Sequence, residues 1–354
     1  MIEAEINTKV GLGLLKKLAK IQSYSGEEDA MIDFIKKVIN KLGVNYKVDS
    51  VGNILITKGV LCEGEYYPCI VAHMDTVFKK NPLYELEVVE ELDGSIILRG
   101  LEYDKDAVYY AGTGFDDKNG IWIALRLLKE LPKVKILFTV QEEIGAIGAS
   151  KVDMKFFDDV AYVLEGDRRG NSDVITNIFD DICSTEFTKK ISPVMIQYGY
   201  SENFGMLTDI SSLKENGLAV SCINFSVGYY EPHTDKEYCI FEDLVKAYDF
   251  AKECINILGY ERQDHIQPKI PYYKNDHYNY FEDDYYDYEW NKGNTSKKCT
   301  CISDYLIDLS CNECNPTTIR YSGIMCSCGE ELIEKEHSYY CQFCNKHFIY
   351  DYRR

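Results

Sequence analysis

The stretch PCIVAHMDTV, residues 68–77, places a histidine and an aspartate two positions apart directly after an apolar run. Three further apolar runs are followed by acids or a histidine: QEE follows VKILFTV, EGD follows VAYVL, and YYEPHTD follows LAVSCINFSVG. Helical patterns separate these runs, and apolar strands that alternate with helices are typical of a sheet covered on both faces. The sequence therefore predicts an α/β fold with a mixed, mostly parallel sheet and helices on both faces.

Local patterns predict several elements of this fold. Residues 9–43 predict two helices, the second of which has one apolar face and ends at Gly43. Ser25, with Glu28 three residues later, predicts an N-cap for this second helix. The segment LEVVEELDGSIILRG predicts a β-hairpin with its turn at Asp93 and Gly94.

The polar residues that follow the apolar runs are expected to converge in space. In open α/β sheets, the carboxyl ends of the strands border the ligand crevice. Taken singly, each motif has an ordinary explanation: a His-x-Asp pair arises by chance, Glu142 and Glu143 form a solvated pair, and Asp116 with Asp117 lies in a turn after Gly114. Taken together, they form a set in a recognisable order.

The set AHMDTV, GTGFDDKNG, QEEIGAIGA, LEGDRRG and PHTDKE resembles the co-catalytic zinc exopeptidases, the superfamily that contains peptidase T, aminoacylase and the zinc aminopeptidases. The resemblance covers about residues 5–260, with all five motifs in the family order. It implies a site for two zinc ions, for which histidine nitrogens and carboxylate oxygens are suitable ligands. The implied ligands, in chain order, are His73, Asp116, Glu143, Asp167 and His233.

The same resemblance assigns roles to these residues and to two neighbours. Asp116 would bridge the ions, His73 and Asp167 would complete one site, and Glu143 and His233 would complete the other. Glu142 would act as the general base, and Asp75 would orient His73. The family pattern also predicts a cis peptide bond between Asp116 and Asp117.

One departure from the pattern concerns the lid. Peptidase T and aminoacylase insert a lid and dimerisation domain between the third carboxylate ligand and the last histidine. Asp167 and His233 are only 66 positions apart here, and the intervening sequence reads as sheet and helix. No inserted lid domain is therefore predicted, as in the single-domain zinc aminopeptidases.

The implied activity is that of a two-zinc metallo-exopeptidase that hydrolyses short peptides, first of all an aminopeptidase, with metal-bound water as the nucleophile. The alternatives are a carboxypeptidase or an N-acyl amino acid amidohydrolase on the same metals, and an inactive binding protein that interacts through its C-terminal region. The motifs leave the substrate-binding residues undetermined. Arg168, Arg169 and Tyr200 are candidates for contacting a substrate carboxylate, but a solvated or structural role fits them equally well.

A cysteine-rich segment follows the predicted catalytic domain, which spans residues 1–262. A linker rich in tyrosine and acidic residues, 263–298, precedes a zinc-ribbon-like domain, 299–354. Close cysteine pairs of this kind predict one or two structural zinc ions, with the pairing left open. The cysteines concerned are Cys299, Cys301, Cys311, Cys314, Cys326, Cys328, Cys341 and Cys344. The ribbon either docks a protein partner or only stabilises its own fold.

The charge balance argues against polyanion partners. The formal net charge is -19, and the ribbon segment contains more acidic than basic residues, so neither nucleic acid nor an acidic membrane surface is an expected partner. The sequence shows no apolar stretch of membrane-spanning length, and MIEAEINTKV lacks the regions of a signal peptide. The expected compartment is the cytoplasm.

Overall fold

A computed structural model describes residues 11–79, 84–104 and 107–266, together with four short strands near the C-terminus. The chain forms two compact units, Met1–Pro271 and Tyr272–Arg354. Within the described residues, no helix has the length and apolar character required to cross a membrane.

The first unit contains seven α-helices, fourteen strands and one short 3-10 helix (Met154–Phe157) within the described residues. In chain order the helices and strands are α1 (Leu12–Lys20), α2 (Asp29–Leu42), β1 (Tyr46–Val48), β2 (Ile54–Lys58), β3 (Tyr67–His73), β4 (Tyr84–Glu90), β5 (Ile96–Asp104), β6 (Ala107–Ala111), α3 (Phe115–Glu130), β7 (Val134–Thr139), α4 (Ile147–Ser150), β8 (Val160–Arg168), β9 (Asp173–Ile178), β10 (Asp180–Asp181), α5 (Thr185–Tyr198), β11 (Ser201–Phe204), α6 (Asp209–Glu215), β12 (Cys222–Ser226), β13 (Tyr229–Tyr230), β14 (Tyr238–Ile240) and α7 (Phe241–Leu258).

The two N-terminal helices are present as predicted, but the predicted cap is wrong. Helix α2 ends at Gly43, whose left-handed backbone (φ 66°) suits a residue without a Cβ. Its N-cap is Glu28, and no side chain caps it. The Ser25 hydroxyl donates instead to Oδ2 of Asp75 over 2.7 Å. A buried carboxylate far along the sequence therefore takes the hydroxyl that the local pattern assigned to the helix.

A nine-stranded mixed sheet forms the centre of the first unit. Its strand order is β1-β2-β7-β3-β8-β12-β9-β10, and β11 pairs with β9. The four central strands β7, β3, β8 and β12 are parallel to one another, whereas β2 and β9 flank them in antiparallel orientation. This arrangement confirms the predicted mixed, mostly parallel sheet.

Both faces of this sheet are covered, because residues that alternate along a strand point to opposite faces. Ile70 and Ala72 of β3 belong to the same apolar cluster as residues of α1, α2, α3, α5 and α7. Cys69 and Val71, which lie between and beside them, belong to the second cluster with residues of α4 and α6. The prediction of helices on both faces is confirmed.

A smaller, five-stranded sheet completes the first unit. It has the order β13-β14-β5-β4, with β6 paired to β5, and contains the predicted hairpin with its turn at Asp93 and Gly94. The segment between Asp167 and His233 lies wholly within the described residues and contributes β9 to β13, α5 and α6. The prediction that this segment holds no lid domain is confirmed.

The second unit contains a four-stranded antiparallel sheet. Its strands are β15 (Leu306–Asp308), β16 (Ile333–Lys335), β17 (Ser338–Cys341) and β18 (Lys346–Tyr350), in the order β15-β18-β17-β16. Except for the backbone of Cys341, the eight cysteines of the predicted zinc sites lie outside the described residues.

Candidate metal centre

The strand ends converge as the sequence predicts. Strand β3 lies between the parallel strands β7 and β8, so that the ends of all three meet at one edge of the sheet. His73 is the last residue of β3, Glu142 and Glu143 follow β7, and Asp167 lies near the end of β8. Asp116 and His233 join them from the start of α3 and from the loop between β13 and β14.

Two groups of potential ligands share Asp116. In the first, Nε2 of His73 lies 3.1 Å from Oδ1 of Asp116 and 3.6 Å from Oδ1 of Asp167. In the second, Nε2 of His233 lies 3.3 Å from Oδ2 of Asp116 and 3.0 Å from Oε2 of Glu143. Each oxygen of Asp116 therefore faces a different histidine, which is the arrangement a bridging carboxylate requires. The peptide bond between Asp116 and Asp117 is cis, as predicted.

The electrostatics of the cluster fit divalent cations. Hydrogen bonds from His233 and His73 overcome the effect of burial and hold the pKa of Asp116 below its usual range. Burial and the neighbouring Asp116 raise the pKa of Asp167 well above its usual value. Among the described side chains, Oε1 of Glu143 is buried without a hydrogen-bond partner. Concentrated negative charge, an orphaned oxygen and N/O donors are what a bound cation would stabilise.

Glu142 lies beside both groups and belongs to neither. Its Oε2 is 3.9 Å from Nε2 of His73, and burial raises its pKa well above the usual carboxyl value. Asp75 accepts hydrogen bonds from the backbone N–H groups of Glu142 and Glu143 over 2.9 and 3.2 Å. Its Oδ1 also lies 3.4 Å from Nδ1 of His73. Asp75 thus contacts both the histidine and the turn that carries the two glutamates.

Two residues that contact the site were not predicted from the sequence. Glu28 accepts a hydrogen bond from the backbone N–H of Gln141 over 3.2 Å, at the start of the glutamate turn. Glu237 accepts hydrogen bonds from the loop that carries Asp116. The available signal for Glu237 was its position in PHTDKE, four residues after His233.

One cavity borders the centre, and a second is lined by residues that are next to two of the ligands in sequence. One, of about 420 Å³, is lined by Glu142, Glu143 and His233 and also by Leu207 and Glu215. The other, of about 620 Å³, adjoins the ligands Asp167 and His233 through their chain neighbours and is lined by polar residues, which include Arg168, Arg169, Asn171, Asn203, Tyr230 and Glu231.

The three candidate substrate contacts have different environments. Arg168 is paired with Asp173 through its Nε and Nη2. Arg169 is exposed and has no charged partner among the described residues. Tyr200 is buried, and its hydroxyl donates to the carbonyl of Ser226. Tyr200 therefore has a structural role, whereas Arg169 is available to a ligand.

One family model matches part of the chain. The family model described as M42 glutamyl aminopeptidase matches residues 97–179, the segment that contains Asp116, Glu142, Glu143 and Asp167. A search of curated protein sequences found no significant match.

Several solved structures are similar in fold. Aminopeptidase PepT from Bacillus cereus ATCC 10987 has a TM-score of 0.56 at 16% identity, over 71% of this chain and 98% of that one. A tripeptidase from Staphylococcus aureus subsp. aureus Mu50 gives 0.55 at 16% identity over 71% and 98%. A TET aminopeptidase from a marine sediment archaeon, Thaumarchaeota archaeon SCGC AB-539-E09, gives 0.53 at 15% identity over 72% and 98%.

These findings confirm the predicted fold class, and the family match supports the predicted enzyme class, a metallopeptidase. The chain thus shares the fold of these aminopeptidases, matches the M42 family model over residues 97–179, and carries five motifs that resemble those of the co-catalytic zinc exopeptidases in their order.

Proposed function

We propose that the protein is a two-zinc aminopeptidase that removes the N-terminal residue from short peptides. The observation that carries this proposal is the sharing of Asp116 between two ligand groups, with one oxygen facing His73 and the other facing His233. The proposed ligands are His73, Asp116, Glu143, Asp167 and His233, and zinc is the proposed metal because histidine nitrogens and carboxylate oxygens are both suitable zinc ligands.

Two bound zinc ions would lower the pKa of a water molecule and polarise the scissile carbonyl. Glu142 then accepts the proton of the attacking water and returns it to the leaving amine. Burial raises the pKa of Glu142 above the usual carboxyl value. A raised pKa suits a carboxyl group that must both accept a proton and release it. Asp75 holds the backbone of Glu142 in place.

The larger cavity favours a peptide with an acidic N-terminal residue. Arg169 borders it, close in sequence to the ligand Asp167, and has no charged partner among the described residues. The matched family model is described as glutamyl aminopeptidase. A glutamate side chain that enters this cavity would give Arg169 the carboxylate that it lacks in the free protein.

Mass spectrometry of a peptide pool incubated with zinc-loaded protein tests the proposal. Stepwise loss of N-terminal residues, absent with Glu142→Ala, is the expected result. Loss of C-terminal residues or of acyl caps alone would instead establish the carboxypeptidase or the N-acyl amino acid amidohydrolase. No cleavage of any peptide would favour the binding protein.

For the C-terminal unit, we propose one or two structural zinc ions held by the cysteines between Cys299 and Cys344, in a ribbon that docks a protein partner. Support comes from the spacing of the cysteine pairs and from the antiparallel strands β15 to β18. The six cysteines of the described first unit are free thiols, which agrees with a reducing, cytoplasmic location. A total zinc content of three or four per chain, reduced to two by Cys→Ser substitutions in the pairs, is expected.

A further inference from the structure

Glu237 occupies a pocket of backbone donors at the start of α3. Its Oε2 accepts hydrogen bonds from the N–H groups of Thr113 and Gly114 over 2.8 and 2.6 Å, and its Oε1 accepts one from Asp116 over 3.2 Å. The side chain is fully buried. A buried carboxylate is tolerated when hydrogen bonds replace its hydration.

The same residue is anchored close to His233. Its backbone N–H donates to the carbonyl of Thr234 over 3.1 Å, and the next residue, Tyr238, begins strand β14, which pairs with β5. Glu237 therefore connects two segments, the loop that carries Asp116 and the loop that carries His233. The Nε2 of His233 and Oδ2 of Asp116 are 3.3 Å apart, so a small shift of either loop changes the spacing of these two ligand atoms.

The loop that carries Asp116 has little freedom of its own. Gly114 has a left-handed backbone (φ +71°), and a Cβ there would lie 2.3 Å from Cγ2 of Thr76. Lys118 holds the other side of the loop, since its Nζ donates to the carbonyl of Thr113 over 2.6 Å. Glu237 completes this enclosure. Its three donor contacts involve both carboxylate oxygens, and Glu237 is absent from both ligand groups.

We infer that Glu237 is a positioning residue, which sets the placement of the bridging Asp116 relative to His233 and thereby controls metal affinity. This inference rests on the proposed two-metal site. Residues that support metal ligands from outside typically contribute about 10- to 100-fold to metal affinity. A loss of that size is expected for Glu237→Gln, because the amide has one acceptor oxygen and an NH₂ group that faces backbone donors.

Asp49→Asn is the matched control. Oδ1 of Asp49 also accepts three hydrogen bonds, from the backbone N–H groups of Val51, Gly52 and Asn53, in the loop between β1 and β2. Each of these hydrogen bonds is 3.0 Å long. The two substitutions replace a carboxyl group by an amide at the same kind of contact, but Asp49 has no described contact with a proposed ligand. Any loss that both variants share is therefore a general effect on folding.

The experiment measures the zinc affinity of the full chain by competition with a chromophoric chelator, together with thermal unfolding of the metal-free protein. A 10-fold or larger loss of affinity in Glu237→Gln, with wild-type affinity in Asp49→Asn, is expected. Equal affinities in wild type and Glu237→Gln, or equal losses in both variants, would overturn the inference. Glu237→Asp, which keeps the charge but is one methylene shorter, should show an intermediate loss and serves if the glutamine variant does not fold.

This design separates the inference from the proposed function. A wild-type protein that binds zinc in the first unit but cleaves no peptide would refute the function and leave the affinity comparison valid. If Asp116→Asn had the same zinc affinity as the wild type, both the inference and the proposed function would be refuted.

Discussion

The backbone N–H of Glu142 donates a hydrogen bond to Oδ1 of Asp75 over 2.9 Å. The same oxygen lies 3.4 Å from Nδ1 of His73, and Oδ2 accepts hydrogen bonds from Glu143 and Ser25. One buried carboxylate therefore supports a proposed ligand from each of the two metal sites and also the proposed base. This convergence explains why an aspartate stands two residues after His73.

Asp75→Asn should weaken both metal binding and catalysis. The amide has one acceptor oxygen in place of two, and it removes the negative charge 3.4 Å from Nδ1 of His73, so we expect zinc affinity to fall by about 10- to 100-fold. Chelator competition measures the affinity. Ser25→Ala removes a single donor to Oδ2 and should lower affinity only a few-fold; similar values for both variants would contradict the role given to Asp75.

Glu142→Gln should separate catalysis from metal binding. Glutamine cannot accept the proton of the attacking water, so kcat should fall by about 100- to 10,000-fold while the zinc content of the first unit stays at two. Glu215→Gln is the control, because Glu215 lines the same cavity without a described contact to His73. Its kcat should stay within about tenfold of wild type. Full activity in Glu142→Gln would remove Glu142 from the mechanism.

Removal of zinc should destabilise the first unit. The cluster brings four carboxylates, those of Asp116, Glu142, Glu143 and Asp167, close to one another, and bound cations compensate their repulsion. At free zinc near 100 times Kd, we expect the free energy of unfolding to rise by about 2.7 kcal/mol. Thermal unfolding with chelator and with zinc measures the change. In Asp116→Asn, most of this stabilisation by zinc should be absent. If zinc stabilised that variant as much as the wild type, the stabilising ion would be bound elsewhere.

Metal-free stability should decline as the pH rises. Burial raises the pKa of Glu142 and Asp167 well above the carboxyl value, and a carboxyl with a raised folded-state pKa stabilises the fold only while it is protonated. Hydrogen bonds to Asp116 and Glu143 raise the pKa of His233 from 6.5 to about 11, so its contribution is complete below pH 6.5 and is lost as the pH rises toward 11. Both the carboxyl groups and His233 therefore lower the free energy of unfolding of the metal-free protein as the pH rises.

Urea unfolding of chelator-treated protein between about pH 5.5 and about pH 9 tests this expectation, with the free energy of unfolding decreasing across the range. Zinc-loaded protein should respond differently, because ligands must be deprotonated to bind metal and zinc affinity rises with pH. The stabilisation by zinc should therefore be larger at the upper pH. A metal-free protein that becomes more stable as the pH rises would show that other groups dominate the titration.

The sequence predicted those parts of the molecule that strand ends and motif order specify. His73, Glu142, Glu143 and Asp167 lie at the ends of apolar runs, and parallel pairing brings such ends together whatever the loops do. Contacts that depend on the path of a loop were not predictable. Glu237 lies beside the Asp116 loop because strand β14, which follows it, pairs with β5. No local sequence pattern predicts this pairing.

The wrong cap at Ser25 has a related cause. A serine followed three residues later by a glutamate satisfies the local rule for a helix start. In the folded chain, however, the segment before the helix pairs with the residues after β3, through Tyr24 and Thr76, and this brings the Ser25 hydroxyl to Asp75. Oδ2 of Asp75 is a buried charged acceptor, and a charged acceptor forms a stronger hydrogen bond than the helix backbone offers. Tertiary contacts decided the outcome there.

Arg169→Gln should reduce the preference for acidic N-terminal residues. Hydrogen bonds to charged groups contribute about 1.5 to 3 kcal/mol, so kcat/KM for a glutamyl substrate should fall by at least about tenfold, with a smaller change for the matching alanyl substrate. Arg168 is not equivalent, because Asp173 already pairs with its guanidinium. Lys17→Gln on α1, which removes one positive charge away from the cavity lining, is the control and should leave both substrates unchanged. An equal loss of kcat/KM on glutamyl and alanyl substrates would mean that Arg169 contacts the peptide backbone or its terminal carboxylate. If the variant kept the wild-type preference, the first side chain would be selected in the other cavity, which is lined by Glu142 and Leu207.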